Sequence, residues 1–187
     1  QLLNQNKNYG YDLPMAYGEV FIPQIAEGLL LRFGRFISIP DIEAQLAPNN
    51  YMYTHSMTYT FDNYTNTGLQ STLAVTKNWM LQLGVSVGSD TMPWNANAKI
   101  ANPSPNPLFP GTTMLKDPGA VPSITGGVRW TSDSGNDSVY VVADAINSGT
   151  WGYNNLQWYG LTAYHKFNEQ WHISFETYNL HQNNVLN

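Results

Sequence analysis

The chain has 187 residues with a formal net charge of −5; charged residues make up 11%, aromatics 13%, and there is no cysteine. Disulfide scaffolds and cysteine-based zinc sites are therefore excluded, and eight scattered Lys and Arg residues give no basic stripe for nucleic acid. Ordinary soluble domains carry about 25% charged residues, and here Asn, Thr, Ser, Gln and Gly stand in their place. No apolar run approaches the roughly 18 residues of a membrane-spanning helix, so any crossing of a bilayer is made with strands.

Period-two alternation predicts nine strands, near 15–22, 29–39, 51–62, 69–76, 79–89, 123–131, 138–146, 156–166 and 171–180. The one stretch with helix propensity is "DIEAQLA" at 41–47, ended by Pro48. The strands run mostly 8–12 residues, close to the roughly 9–11 that cross a bilayer at a tilt and longer than the about 5–6 usual in soluble sheets. The fold class is all-β, an antiparallel transmembrane β-barrel. Nine strands suit a partial barrel, about 8–9 strands of a larger one, because single-chain bacterial barrels have an even number. The whole chain, 1–187, reads as a single barrel domain incomplete at both ends.

The connectors alternate. "TKNW" (76–79), "SDSGNDS" (132–138) and "KFNEQ" (166–170) are short; 90–122 and "NSGTWGYNN" (147–155) are long. Short turns on one side and long loops on the other is the build of an outer-membrane barrel. Counting backwards, "NYTNTG" (63–68) becomes a turn on the loop side and 40–50 falls on the short-turn side, where it fits poorly.

"WMLQLGVSVG" (79–88) puts Trp79, Leu81, Leu83, Val85 and Val87 on one face and Met80, Gln82, Gly84, Ser86 and Gly88 on the other. "LAVTKNWMLQLGV" and "TAYHKFNEQWHISFE" echo each other, each with a Trp just after the turn. Trp79 and Trp171, with Tyr51, Tyr53, Tyr59 and Phe61, are the candidates for an interfacial aromatic girdle.

The run from 29 to 94, with its "GRF" strand, "APNNYMYTHS", "YTNTG", Trp hairpin and "GSD", resembles the OmpL-like β-barrel porins of the beta-barrel porin-2 family, and "YNNLQWYGLTAYHKFNEQWHISFETY" looks like the same family's later hairpins. The resemblance implies a Gram-negative outer-membrane channel, a parent longer than this chain, and no catalytic residues to carry over.

Arg facing mid-bilayer lipid costs about 2–4 kcal/mol, so in-strand charges are expected to face a lumen. Arg32 shares a face with Leu30, Gly34 and Ser38; Arg129 with Thr125, Gly127 and Thr131; Glu176 with His172 and Ser174. With Gln82 and Ser86 these are the pore-lining candidates. Arg35 falls on an apolar face, a break that a bulge at Gly34 or an interfacial position would explain. Asp41 and Glu43 after Pro40 are constriction candidates, or caps of the short helix. His165 and His172 flank a turn and are expected to approach across the hairpin, although two histidines make no metal site.

Two functions are open at this point. One is a porin, a non-enzymatic, cofactor-free channel for passive diffusion of small hydrophilic solutes or ions, with outer-membrane lipid as its partner and a homo-oligomer such as a trimer compatible with it. The other is a secreted, soluble β-sandwich carbohydrate-binding module whose Tyr and Trp stack on sugars.

Overall fold

Alternating strands with one apolar face need neighbours on both sides to satisfy their backbone groups, and the chain supplies them in order. The computed structural model describes residues 4–5, 10–11, 15–37, 65–89, 122–146 and 157–181. Strands β1 (Asn4–Gln5) and β2 (Gly10–Tyr11) form a small two-stranded ribbon. The next eight are β3 (Ala16–Ile22), β4 (Leu29–Ile37), β5 (Thr65–Ala74), β6 (Trp79–Ser89), β7 (Ser123–Thr131), β8 (Asp137–Ile146), β9 (Gln157–Lys166) and β10 (His172–His181). They make one antiparallel sheet in which each strand lies beside its sequence neighbours. The sheet is not closed, since β3 and β10 are its two edges, and its form is that of a partial barrel. Seven of the eight strands have 9–11 residues, enough to cross a bilayer at a tilt.

All four connections through residues 23–28, 75–78, 132–136 and 167–171 lie at one end of the sheet. The other three, through 38–64, 90–122 and 147–156, join strands at the opposite end. The expected asymmetry of short turns and long connections is therefore present.

The two echoing hairpins share their turn chemistry. Thr76 Oγ1 accepts from the Asn78 and Trp79 amides, both at 3.2 Å. Asn168 Oδ1 accepts from the Gln170 and Trp171 amides at 2.8 and 2.9 Å. A short polar side chain thus replaces the ladder at the turn and fixes the Trp that follows. Adjacent hairpins are also tied at this end. Asn78 Nδ2 donates to Thr131 O and to Asp133 Oδ1, both at 2.8 Å, and Lys77 Nζ lies 2.9 Å from the same carboxylate. Lys77 first, then Asn78, holds the Asp133 carboxyl below the ordinary carboxylate range.

One expected turn is a strand. Thr65–Gly68, read as part of the "NYTNTG" turn, opens β5, and β5 pairs directly with β4 from Leu29↔Leu73 to Ile37↔Thr65. Asn66 and Gly68 look like turn residues but serve the sheet. Asn66 Nδ2 donates to both carboxylate oxygens of Asp144 at 3.1 Å. A side chain at Gly68 would run into the Val85 carbonyl and come within 2.7 Å of Ser86 Cα, so only Gly allows this approach of β5 to β6. The misfit of segment 40–50 disappears with this correction: 38–64 is one connection, at the end of the long ones. The expected strand 51–62 and the "DIEAQLA" helix lie outside the described residues.

The two faces of the sheet differ sharply. One exposes Val20, Phe33, Leu69, Leu83, Val85, Ile124, Val128, Val141, Ile173 and Phe175. The other, called inward below, packs Tyr140, Val142 and Trp158 with Tyr178 and Leu180. The Trp158 ring lies flat over Gly160 in its own strand, filling the space a side chain there would need, and only 1% of Trp158 is exposed. Burying one such ring contributes roughly 1.5–3 kcal/mol.

Candidate functional site

Register places the inward side chains in cross-strand rows. One row runs Leu30, Thr72, Gln82, Gly127, Val142, Gly160, Tyr178. The next, nearer the short turns, runs Ala74, Met80, Arg129, Tyr140, Thr162, Glu176. Arg32 belongs to a third, with Glu19, Gln70 and Gly84. Alternation thus brings Arg32, Gln82, Ser86, Arg129 and Glu176 to one face, as their spacing in the sequence requires.

They differ in how far each is committed. Arg32 donates from Nε to Glu19 Oε1 at 2.7 Å, with Nη2 also 2.7 Å from that oxygen, and its guanidinium sits 5.0 Å from the centre of the Tyr17 ring. Gln82 is held at both ends: its Oε1 accepts the Tyr140 hydroxyl, and its Nε2 donates to Thr72 Oγ1 at 3.2 Å. Gly127 makes this possible, since a side chain there would meet the Tyr140 ring at 2.9 Å. Ser86 is buried near the long-connection end, Glu176 is half-buried opposite Thr162, and Arg129 is exposed beside a cavity of about 390 Å³. That cavity is lined by Met80, Gln82, Arg129, Tyr140, Thr162 and Tyr164 among others.

Two acids on this face were not singled out by sequence reasoning. Glu19 lies between Tyr17 and Phe21 on its face, which therefore reads as apolar. Asp144 follows Val142 on its face; it is 1% exposed, accepts from Asn66, and takes the Thr125 hydroxyl. The signal available for both was a carboxylate inside a strand whose other face is aliphatic.

The histidine expectation is overturned. His172 pairs with Lys166 and Ile173 with His165, so His165 and His172 project from opposite faces. His165 Nδ1 is 2.5 Å from Asp137 Oδ1, while His172 is near the Tyr164 ring at 5.7 Å. Among the described residues no three His, Asp or Glu side chains come together as a metal site. Arg35 is buried, and the register runs through Gly34 without a shift, so no inserted residue turns it. Trp79 and Trp171 are exposed, 48% and 69%, at the short-turn end. Tyr51, Tyr53, Tyr59, Phe61, Asp41 and Glu43 lie outside the described residues.

A meander of eight long strands, apolar outside and hydrogen-bonded polar inside, is matched over residues 1–186 by the family model described as "Putative beta-barrel porin-2, OmpL-like". The chain belongs to this porin family. No curated protein matches it, and no solved structure does. The inward face, with its charges, hydroxyls and amides, is the candidate functional surface.

Proposed function

We propose that the protein is an outer-membrane porin forming a water-filled channel through which small hydrophilic solutes diffuse passively. The observation that carries this reading is the division of the sheet's faces. Leu83, Val85, Val141 and Phe175 are each more than half exposed inside their strands, whereas inward side chains of the same sheet include Gln82, Thr125, Arg129 and Glu176. Such a wall is stable with hydrocarbon on one side and water on the other. In water on both sides it would leave a broad aliphatic surface exposed. The sandwich alternative needs a second sheet packed on the apolar face. Among the described residues the only other sheet is the two-stranded β1–β2 ribbon.

The mechanism has no chemical step. Arg32–Glu19, Gln82–Tyr140 and Asp144–Asn66 hold side chains against the wall, and exposed charges such as Arg129 set the field a permeating solute feels. Asp41 and Glu43, in the connection between β4 and β5, are proposed to narrow the opening. Trp79 and Trp171 are proposed to sit at the interface on the short-turn side. The full-length protein reconstituted into planar bilayers is expected to give discrete, ohmic conductance steps and to migrate differently in gels before and after heating. A protein that is monodisperse without detergent and silent in bilayers would overturn this function.

A further inference from the structure

Of the five Lys and Arg residues described, Arg32, Lys77 and Lys166 each lie within 3 Å of a carboxylate, at 2.7, 2.9 and 2.7 Å, and Arg35 is buried. Arg129 is exposed on the inward face, and no carboxylate among the described residues is within ion-pair reach of it. It also has surroundings that suit a ligand. Register sets it between Met80 and Tyr140, two large side chains with apolar surface. The Tyr140 ring is fixed over Gly127 by its hydroxyl's bond to Gln82, so this wall is rigid before any solute arrives. Beyond it Thr162 and Tyr164 add two hydroxyls to the same cavity of about 390 Å³, a volume at the small end of ligand sites.

Guanidinium offers only donors, in a planar fork that matches a carboxylate. The Thr162 and Tyr164 hydroxyls both give and accept, which suits a polyol body. Glu176 lies next in the row after Thr162 and outside the cavity's lining, where it disfavours a second negative charge. We propose that Arg129, Tyr140, Thr162 and Tyr164 form a subsite for small polyhydroxylated monocarboxylates, that is, sugar acids, on the inward wall. The subsite deepens the porin reading and rests on it for access from water.

The test uses the full-length protein in detergent, with binding followed by saturation-transfer NMR titration of gluconate, glucose and glucarate, the mono-acid, neutral and di-acid forms of one skeleton. Gluconate is expected to bind at least about tenfold more tightly than either of the others, because a charge-assisted pair is gained without repulsion from Glu176. Arg129→Gln is expected to remove that preference, Arg129→Lys to keep part of it, and Glu176→Gln to admit glucarate. Unchanged heat-modifiable migration shows that each variant is folded, and Thr162→Val, which replaces the hydroxyl by a methyl group of similar size, is expected to weaken gluconate a few-fold. Equal affinity for gluconate and glucose, or an Arg129→Gln protein that binds gluconate as before, would overturn the subsite. The titration does not depend on conduction, so silent bilayers would refute the channel and leave this result standing on its own.

Discussion

Leu83→Arg separates lipid from water by the sign of its effect. Leu83 is the fifth of the eleven residues of β6, which starts at Trp79 beside the short turn. Four residues at about 3.4 Å each give about 14 Å along the strand, or about 10 Å of depth at a tilt of about 40°. With Trp79 at one interface, that places Leu83 close to the midplane of an apolar band about 25 Å tall. Its cross-strand neighbours are Ser71 and Gly126, so no carboxylate stands directly beside it to pair with an introduced guanidinium. Leu83→Arg should then destabilise the protein by about 2–4 kcal/mol, and Trp79→Arg, at the interface, by at most about 1 kcal/mol from the charge itself. In water the same change at a side chain already 53% exposed would fall within about 0.5 kcal/mol of zero. Reversible denaturant unfolding of the full-length protein in lipid vesicles measures the difference. A Leu83→Arg effect under about 0.5 kcal/mol would refute the assignment of this face to lipid.

Other consequences follow from particular contacts. Gly68→Val sets a side chain against the backbone of Val85 and Ser86, where no rotamer relieves the clash; a loss of about 1–3 kcal/mol or more, or failure to reach the heat-modifiable form, is expected. Tyr140→Phe deletes the hydroxyl that Gln82 accepts and should cost about 0.5–1.5 kcal/mol, with a double-mutant cycle against Gln82→Ala showing coupling of similar size. The Asp133 carboxyl is held below its ordinary range by Lys77 and Asn78, so its tie between the turns contributes fully above the ordinary carboxylate pKa and is lost as pH falls through the lowered value. Stability profiles between about pH 2 and 5 should accordingly lose part of their acid slope in Asp133→Asn.

The strands were legible because a sheet with one apolar and one polar face imposes strict alternation. Residues 79–89 and 123–131 match β6 and β7 end to end, and the remaining described strands of the sheet differ by one or two residues at their ends, except β5. β5 was misplaced because Asn66 and Gly68 carry turn chemistry in sequence, whereas their use here depends on Asp144 and on the β6 backbone, neither of them local. The inward positions of Arg32, Arg129 and Glu176 followed from parity alone. Which of them is paired did not, since Glu19 and Arg32 come together only through the register of β3 on β4. His165 and His172 look adjacent across a turn, but the register pairs His165 with Ile173 and His172 with Lys166, which puts the two histidines on opposite faces.

In the porin proposed above, even-numbered residues of β6 face water and odd-numbered ones face lipid. The chain has no cysteine, so single cysteines at 81 to 86 can be read without background. In vesicle-reconstituted protein, cysteines replacing Gln82 and Gly84 should react with a charged, water-soluble thiol reagent, and those replacing Leu81, Leu83 and Val85 should resist it while a fluorophore placed there is quenched by lipid-borne nitroxides. Uniform reactivity along the strand, or the opposite alternation, would contradict the account.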